Sequence, residues 1–124
     1  MAAPNIVNVA TITAKTSYLT PANTAPNVLL ANPSSSGKVF KINTIIAANV
    51  DGNTAFDSTV AFNTFANGAG TSFPLASTIS IPADASLIVS DKSTAFYLEE
   101  NTSVVVTSST ASKIAYVVSY EELS

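Results

Sequence analysis

The sequence predicts an all-β fold, a single antiparallel β-sandwich of the jelly-roll type with about eight strands and an extended N-terminal arm. Three observations support this prediction. Apolar and polar residues alternate along most of the chain, as they do on strands with one buried face. Turn-forming residues interrupt the alternation about every eight to twelve residues, a spacing typical of sandwiches and barrels. No segment shows the periodicity of an amphipathic helix.

The length and composition agree with one self-contained sandwich. A chain of 124 residues has the size of one domain, so we assign residues 1–124 to a single unit. It contains no cysteine, and a chain of this length can bury a sufficient core without disulfides. Hydrophobic residues make up 47% of the chain and charged residues only 10%. This balance predicts that part of the apolar surface contacts other chains.

The N-terminal third is the least regular part of the chain. Residues 6–13 predict a first strand, and residues 2–12 together predict an extended arm. Residues 20–37 are rich in proline, asparagine and serine, a composition typical of a long connection. Such segments often lie on a neighbouring molecule, and a surface loop of the same molecule is the alternative.

The clearest strand covers residues 38–50. Strict alternation places Phe40 and Ile46 on one predicted face and Lys41 and Asn43 on the other. Successive side chains on a strand point to opposite sides of the sheet, so the first pair is expected in the core.

A turn at residues 51–53 follows this strand, with the sequence Asp-Gly-Asn. Glycine adopts positive φ at little cost, so the turn predicts a hairpin onto a strand that carries Phe56 and Val60. The same residues begin like a calcium-binding loop. A calcium loop would require an oxygen ligand where Ala55 stands and a glutamate where Phe62 stands, which favours a plain turn.

The C-terminal half predicts further strands separated by short turns. A glycine-rich connection at residues 67–70 precedes a strand in which Phe73 and Ile79 alternate with polar residues. Because proline cannot donate a ladder hydrogen bond, Pro74 places this strand at an edge, a bulge or a strand start. The remaining strands are predicted between turns at residues 82–84, 91–94, 100–101 and 108–112.

The composition argues against catalysis. The chain has no histidine, cysteine, tryptophan or arginine, which removes the usual routes to acid-base, covalent and phosphoryl chemistry. We therefore expect a non-enzymatic protein without metal or cofactor. The adjacent acids at residues 99–100 and 121–122 point to opposite faces of their strands, so neither pair forms a ready-made catalytic dyad. Pairing of Glu99 with Glu121 across strands is the least favoured alternative, and solubilising edge charge is the preferred interpretation.

The charge also restricts the partners. With a net charge of −3 and five scattered lysines, the chain has no basic patch for nucleic acid. No apolar run approaches the roughly 20 residues of a membrane-spanning helix. The first residues lack the features of a signal peptide, so synthesis in the cytoplasm is expected.

The exposed apolar residues are the candidates for partner contact. Tyr97 lies between Phe96 and Leu98 on its predicted strand and should therefore project outward, whereas Tyr116 should fill the core. Phe65 lies in a loop. The predicted contact residues are those of the arm together with three aromatic residues: Ala2, Ile6, Val7, Ile12, Phe65, Phe73 and Tyr97.

Several stretches resemble a family of small virion proteins from tailed phages of marine cyanobacteria. They are residues 3–12 (APNIVNVATI), 35–43 (SSGKVFKIN), 48–52 (ANVDG), 79–85 (ISIPADA), 91–92 (DK), 97–101 (YLEEN) and 118–124 (VSYEELS). Residues 53–72 depart from this pattern. The resemblance implies a structural component of the phage particle.

The resulting hypothesis is a capsid decoration or cement protein that stabilises the head. It implies location in the virion, contact with the major capsid protein or other virion proteins, and a homo-oligomer. A neck, tail or baseplate protein is the structural alternative. A carbohydrate-binding module of a fibre, using Tyr97 and exposed amide and carboxylate side chains, is the alternative from another class.

Overall fold

The computed structural model describes residues 7–124, which form nine strands and one short 3-10 helix, Lys92–Thr94. The strands are β1 (Ile12–Leu19), β2 (Asn27–Asn32), β3 (Val39–Asn49), β4 (Phe56–Asn63), β5 (Ser72–Ile81), β6 (Ser86–Ser90), β7 (Phe96–Leu98), β8 (Thr102–Ser108) and β9 (Ile114–Leu123). No helix in residues 7–124 is long and apolar enough to cross a membrane.

The strands form two antiparallel sheets. The five-stranded sheet has the order β1-β9-β3-β6, and the short β7 also pairs with β3, next to β6. The four-stranded sheet has the order β2-β8-β4-β5. If β6 and β7 are taken as two parts of one edge strand, this is the eight-strand order of a jelly roll, in which most connections cross between the sheets. The predicted fold class is confirmed.

The core lies between the two sheets. The largest fully buried side chain is that of Tyr116 on β9, and it packs with buried Ile42, Ile45, Val60 and Val106. Burial of these side chains stabilises the fold by about 25 cal/mol for each Å² of apolar surface removed from water. The predicted core position of Tyr116 is confirmed.

The N-terminal third differs from the prediction. The first strand begins at Ile12 and continues to Leu19, whereas the strand was predicted at residues 6–13. Ile6 of that predicted strand and residues 2–6 of the predicted arm lie outside the described part. The predicted long connection contains a strand, β2, paired with β8. The register of this pair shifts between Val28 and Leu30, and such a bulge interrupts the alternation by which strands are recognised.

A second bulge exchanges the faces of β3. Ile42 is paired with Tyr120, and Thr44 is already paired with the next residue of β9, so Asn43 is the extra residue. Beyond this point the buried residues are odd-numbered: Ile45 is fully buried, whereas Ile46 is exposed. The predicted core position of Ile46 was therefore wrong, because strict alternation does not continue through a bulge.

The predicted hairpin after β3 was also wrong. The turn is present, but β3 and β4 belong to different sheets, so it carries the chain across the sandwich. One carboxylate oxygen of Asp51 accepts hydrogen bonds from the backbone N–H groups of Asn53 (2.7 Å) and Thr54 (3.1 Å). The other lies 3.7 Å from Lys113 Nζ. The hydrogen bond from the Asn53 N–H is the largest cause of the lowered pKa of Asp51, and the Thr54 N–H and the Lys113 ammonium group lower this pKa further.

The position of the proline-containing strand agrees with the prediction. β5, which contains Pro74, is an edge strand of the four-stranded sheet. Its register against β4 shifts twice. Thr78 has φ +52, an unusual value for a β-branched residue, and donates its N–H to Thr59 Oγ1 at 2.9 Å.

Candidate interaction surfaces

The outer face of the five-stranded sheet carries a row of exposed apolar side chains. Tyr18 on β1 is paired with Val117 on β9, Val117 with Ile46 on β3, and Ile46 with Ile88 on β6. Their exposed fractions are 79%, 39%, 37% and 64%, respectively. Paired residues of adjacent strands share a face, with Cβ atoms about 5 Å apart. The four side chains therefore form one continuous apolar row, called the Tyr18 row below.

Small uncharged residues flank the Tyr18 row on both sides. On one side, Ser119 of β9 is paired with both Thr16 and Thr44. On the other side, Ala48 of β3 is paired with Ala115. Short side chains let another surface approach the sheet closely over this area.

Two opposite charges lie one row further along the same face. Lys41 of β3 is paired with Glu121 of β9 and with Tyr97 of β7, and Glu121 is paired with Ala14 of β1. Asn43 Nδ2 donates a long hydrogen bond of 3.5 Å to Glu121. Tyr97 projects outward, as predicted, and is 42% exposed.

The start of the described chain lies beside its last residue. The N–H groups of Ala10 and Thr11 donate to the carbonyl of Ser124 at 2.8 and 2.9 Å, and the N–H of Ser124 donates to Thr11 O at 3.0 Å. Val7 and Ile12 in this region are strongly exposed.

An ion-pair cluster fixes the same end of the sheet. Glu122 pairs with Lys38 Nζ at 2.7 Å and with Lys15 Nζ at 3.1 Å. The hydrogen bond from Lys38, followed by that from Lys15, lowers the pKa of Glu122 although partial burial opposes the shift. The cluster joins β1 and β9 to the residue that precedes β3.

A second surface is a loop that presents Phe65 on the four-stranded sheet. Fully buried Asn63 organises the loop with both ends of its side-chain amide. Asn63 Nδ2 donates to Gly68 O (3.1 Å), Gly70 O (3.2 Å) and Ser72 Oγ (2.8 Å). Asn63 Oδ1 accepts from the N–H groups of Phe65 and Gly70, both at 3.0 Å. These five bonds give the loop a defined conformation.

The loop covers the outer face of the four-stranded sheet. Gly68 has φ +78, and a Cβ atom at this position would lie 3.1 Å from Val28 Cγ2 and 3.4 Å from Val105 Cγ2. Val105 is buried beneath the loop although it points away from the core. Ser103 Oγ donates a hydrogen bond to Phe65 O at 2.8 Å. This bond holds the backbone of Phe65 in place, while the ring of Phe65 is half-exposed.

A third surface is the edge strand β5. Phe73, Leu75 and Ile79 are all exposed, whereas Ile81 at its end is buried. An edge strand presents unpaired backbone groups, and three apolar side chains beside them favour contact with another chain.

A shallow cleft of about 230 Å³ lies on the outer face of the four-stranded sheet. Hydroxyl groups, including those of Thr59, Thr78 and Thr107, line it together with Asp57. None of its lining residues is aromatic, and Tyr97 belongs to the other sheet. This cleft therefore provides no aromatic platform for a sugar.

The predicted contact residues do not form one surface. Ala2 and Ile6 lie outside the described residues. The other predicted residues, Val7, Ile12, Phe65, Phe73 and Tyr97, are all exposed. By register Tyr97 and Ile12 belong to the outer face of the five-stranded sheet, whereas Phe65 and Phe73 belong to the four-stranded sheet.

The Tyr18 row was not predicted from the sequence. Tyr18 lies in a threonine-rich segment with β propensity, which is a signal for a strand. The other three members become neighbours only through the register of β9, β3 and β6. Pattern alone could therefore have identified Tyr18 but not the row.

No protein-family model matches this chain, and no curated protein is significantly similar to it in sequence. A chain from the disulfide-linked pili of Bacillus endospore appendages covers 92% of this chain and 88% of its own length, with 15% identity and a TM-score of 0.53. A chain from the acidic stable capsid of Helicobacter pylori bacteriophage KHP30 covers 94% and 90%, with 12% identity and a TM-score of 0.52. At these identities the comparisons show a shared sandwich fold.

Proposed function

We propose that this protein is a non-enzymatic structural component of a virus particle, and that it decorates and stabilises a phage capsid. The observation that carries the proposal is the Tyr18 row, in which four large apolar side chains remain exposed in register on one sheet face. Contiguous exposed apolar surface on a soluble protein marks a contact site. The fold similarity to a chain from the KHP30 capsid supports the choice of a viral assembly.

Binding of this kind would stabilise the shell by mass action. A protein that binds the assembled lattice but not free subunits lowers the free energy of the assembled state. The partners in this proposal are the major capsid protein or another virion protein, and further copies of the same chain. The chain has few charges and many small uncharged side chains, so its binding to these partners should depend on close packing more than on long-range electrostatic attraction.

A second location has an observation in its favour. The fold similarity to a chain from Bacillus pili supports a role in a ring or filament, such as the neck, tail or baseplate. The edge strands β1 and β5 belong to different sheets, so contact of β1 in one copy with β5 in the next would be heterologous. Heterologous contacts build rings or filaments.

Cryo-electron microscopy of purified particles tests the proposal. The resemblance to virion proteins of marine cyanobacterial phages indicates the particles to examine first. Density for this sandwich repeated over the capsid lattice would support decoration, and density confined to the neck, tail or baseplate would support the second location. Absence of the protein from purified particles, measured by mass spectrometry, would contradict both.

A further inference from the structure

We infer that two copies of this chain pair face to face through the outer face of the five-stranded sheet, about a two-fold axis that runs parallel to the strands between β9 and β3. This inference rests on the proposed function, in which copies of the chain contact each other on a particle. It names the surface and the symmetry by which they do so.

The apolar residues of this face are complementary to themselves under that axis. The rotation places β9 of one copy over β3 of the other, and β1 over β6. Val117 then lies over Ile46 of the second copy, and Tyr18 lies over Ile88 of the second copy. Each copy thus covers the whole Tyr18 row of the other, with the large ring of Tyr18 at the two ends.

The same axis matches the charges. Lys41 lies on β3 and Glu121 lies opposite it on β9, so the rotation places Lys41 of each copy over Glu121 of the other. Within residues 7–124, no carboxylate oxygen lies within 4.0 Å of Lys41 Nζ. The only hydrogen bond that Glu121 accepts with its side chain in this part of the chain is the 3.5 Å contact from Asn43. Both charges are therefore available, and the pairing creates two intermolecular ion pairs.

Small residues fill the remaining rows. Ser119 lies over Thr44 of the second copy, and Ala115 lies over Ala48 of the second copy. A rotation about an axis parallel to the strands keeps the strands of the two copies aligned, which is the common arrangement of packed sheets. No bulky side chain in these rows prevents close approach.

The area of the face predicts a weak pair. Four strands about 4.8 Å apart and seven residues of about 3.4 Å each give a face of roughly 19 by 24 Å. Pairing would bury on the order of 900 Å² in total, below the standard size of stable interfaces. The pair should therefore form at high local concentration, as on the surface of a particle.

Charge reversal in purified protein tests the geometry. We would measure sedimentation equilibrium from about 10 µM to about 1 mM for the wild type, Lys41→Glu, Glu121→Lys and the double variant. The wild type should dimerise with rising concentration. Each single variant places like charges opposite each other twice, and should weaken dimerisation about tenfold or more. The double variant should dimerise like the wild type.

A mixture of the two single variants is the sharpest test. Lys41→Glu carries two negative groups on this face and Glu121→Lys carries two positive groups, so the mixture should form a heterodimer at concentrations at which each variant alone dimerises at least about tenfold more weakly than the wild type. Asp57→Lys, which reverses a charge on the outer face of the four-stranded sheet, is the matched control and should not alter dimerisation. Thermal melting of each variant verifies folding.

Three results would overturn the inference. They are a wild type that stays monomeric at about 1 mM, single variants that dimerise like the wild type, and a mixture that forms no heterodimer. These results would not affect the proposed function, which depends on the presence of the protein in particles. Conversely, a paired protein that is absent from particles would preserve this inference and contradict the function.

Discussion

The hydroxyl groups of Tyr116 and Ser58 hydrogen-bond to each other across the interior of the sandwich, one from each sheet. The Tyr116 hydroxyl is also 3.3 Å from the carbonyl of Thr107. Both side chains are almost completely buried, and burial raises the pKa of Tyr116. The bond is therefore a polar link between the sheets inside an apolar core.

The losses of stability from removing the two partners of this bond should not be additive. Tyr116→Phe leaves the buried Ser58 hydroxyl without this partner, and Ser58→Ala has the converse effect on Tyr116. Each should lower the free energy of unfolding by about 1–3 kcal/mol, and the double variant should lose less than the sum. Urea denaturation followed by circular dichroism measures this. Strictly additive losses would show that the two hydroxyls do not interact.

The loop that presents Phe65 should depend on Asn63. Asn63→Ala removes five hydrogen bonds from a buried site, and we expect a loss of about 3 kcal/mol or more in the free energy of unfolding. Asn67→Ala is the matched control in the same loop, because Asn67 Oδ1 accepts a single hydrogen bond, from Ala69 N–H at 2.9 Å. It should cost about 1 kcal/mol or less. Equal losses for the two variants would contradict the organising role of Asn63.

Gly68 should be far less replaceable than Gly52. Gly68→Ala places a Cβ atom at positive φ and 3.1 Å from Val28, and should cost about 1–2 kcal/mol. At Gly52 the nearest atom to a new Cβ is 3.5 Å away, in the Asp84 carboxylate, so Gly52→Ala should change stability by no more than about 0.5 kcal/mol. Urea denaturation compares the two variants, and a neutral Gly68→Ala would show that the loop can move away from the sheet.

Part of the fold could be predicted from the sequence alone, and particular residues show where such prediction fails. Alternation and turns were sufficient to predict a jelly-roll sandwich and the edge position of Pro74, because both follow from local chemistry. They failed at Asn43, where a bulge exchanged the faces of β3 and moved Ile46 from the predicted core to the surface. Bulges and register depend on the partner strands, and the Tyr18 row exists only through them. For the same reason, the outward direction of Tyr97 was predictable but its neighbours were not.

Stability should fall in acid because of lowered carboxyl pKa values. The Lys38 and Lys15 ammonium groups lower the pKa of Glu122 from its ordinary value of 4.5, and backbone or hydroxyl hydrogen bonds lower those of Asp51 and Asp91. A carboxyl group with a lower pKa in the folded state binds protons more weakly there than in the unfolded chain. Its contribution is complete above the unfolded pKa and is lost as the pH falls through the folded pKa.

Glu122→Gln should reduce this acid dependence. The free energy of unfolding of the wild type should decrease from about pH 6 to about pH 3, with a smaller decrease in Glu122→Gln. Glu99→Gln, at an exposed position, is the matched control and should follow the wild-type curve. Denaturant titrations at each pH give the curves. Parallel curves for the wild type and Glu122→Gln would show that the cluster with Lys38 and Lys15 does not contribute to stability.

Attachment to particles should depend on the Tyr18 row more than on exposed apolar residues elsewhere. Ile88→Lys introduces a charge at the end of the row, at a position 64% exposed, and Val50→Lys does so at a similarly exposed position (59%) after β3. Both should leave the free energy of unfolding within about 0.5 kcal/mol of the wild type, because neither side chain belongs to the core. In the proposed pair Ile88 lies under Tyr18 of the second copy, and burial of an unpaired ammonium group against an apolar surface is costly. Only Ile88→Lys should therefore disrupt pairing on the particle and lose binding when particles and variants are co-sedimented. If the two variants bind equally, pairing through the Tyr18 row does not contribute to attachment.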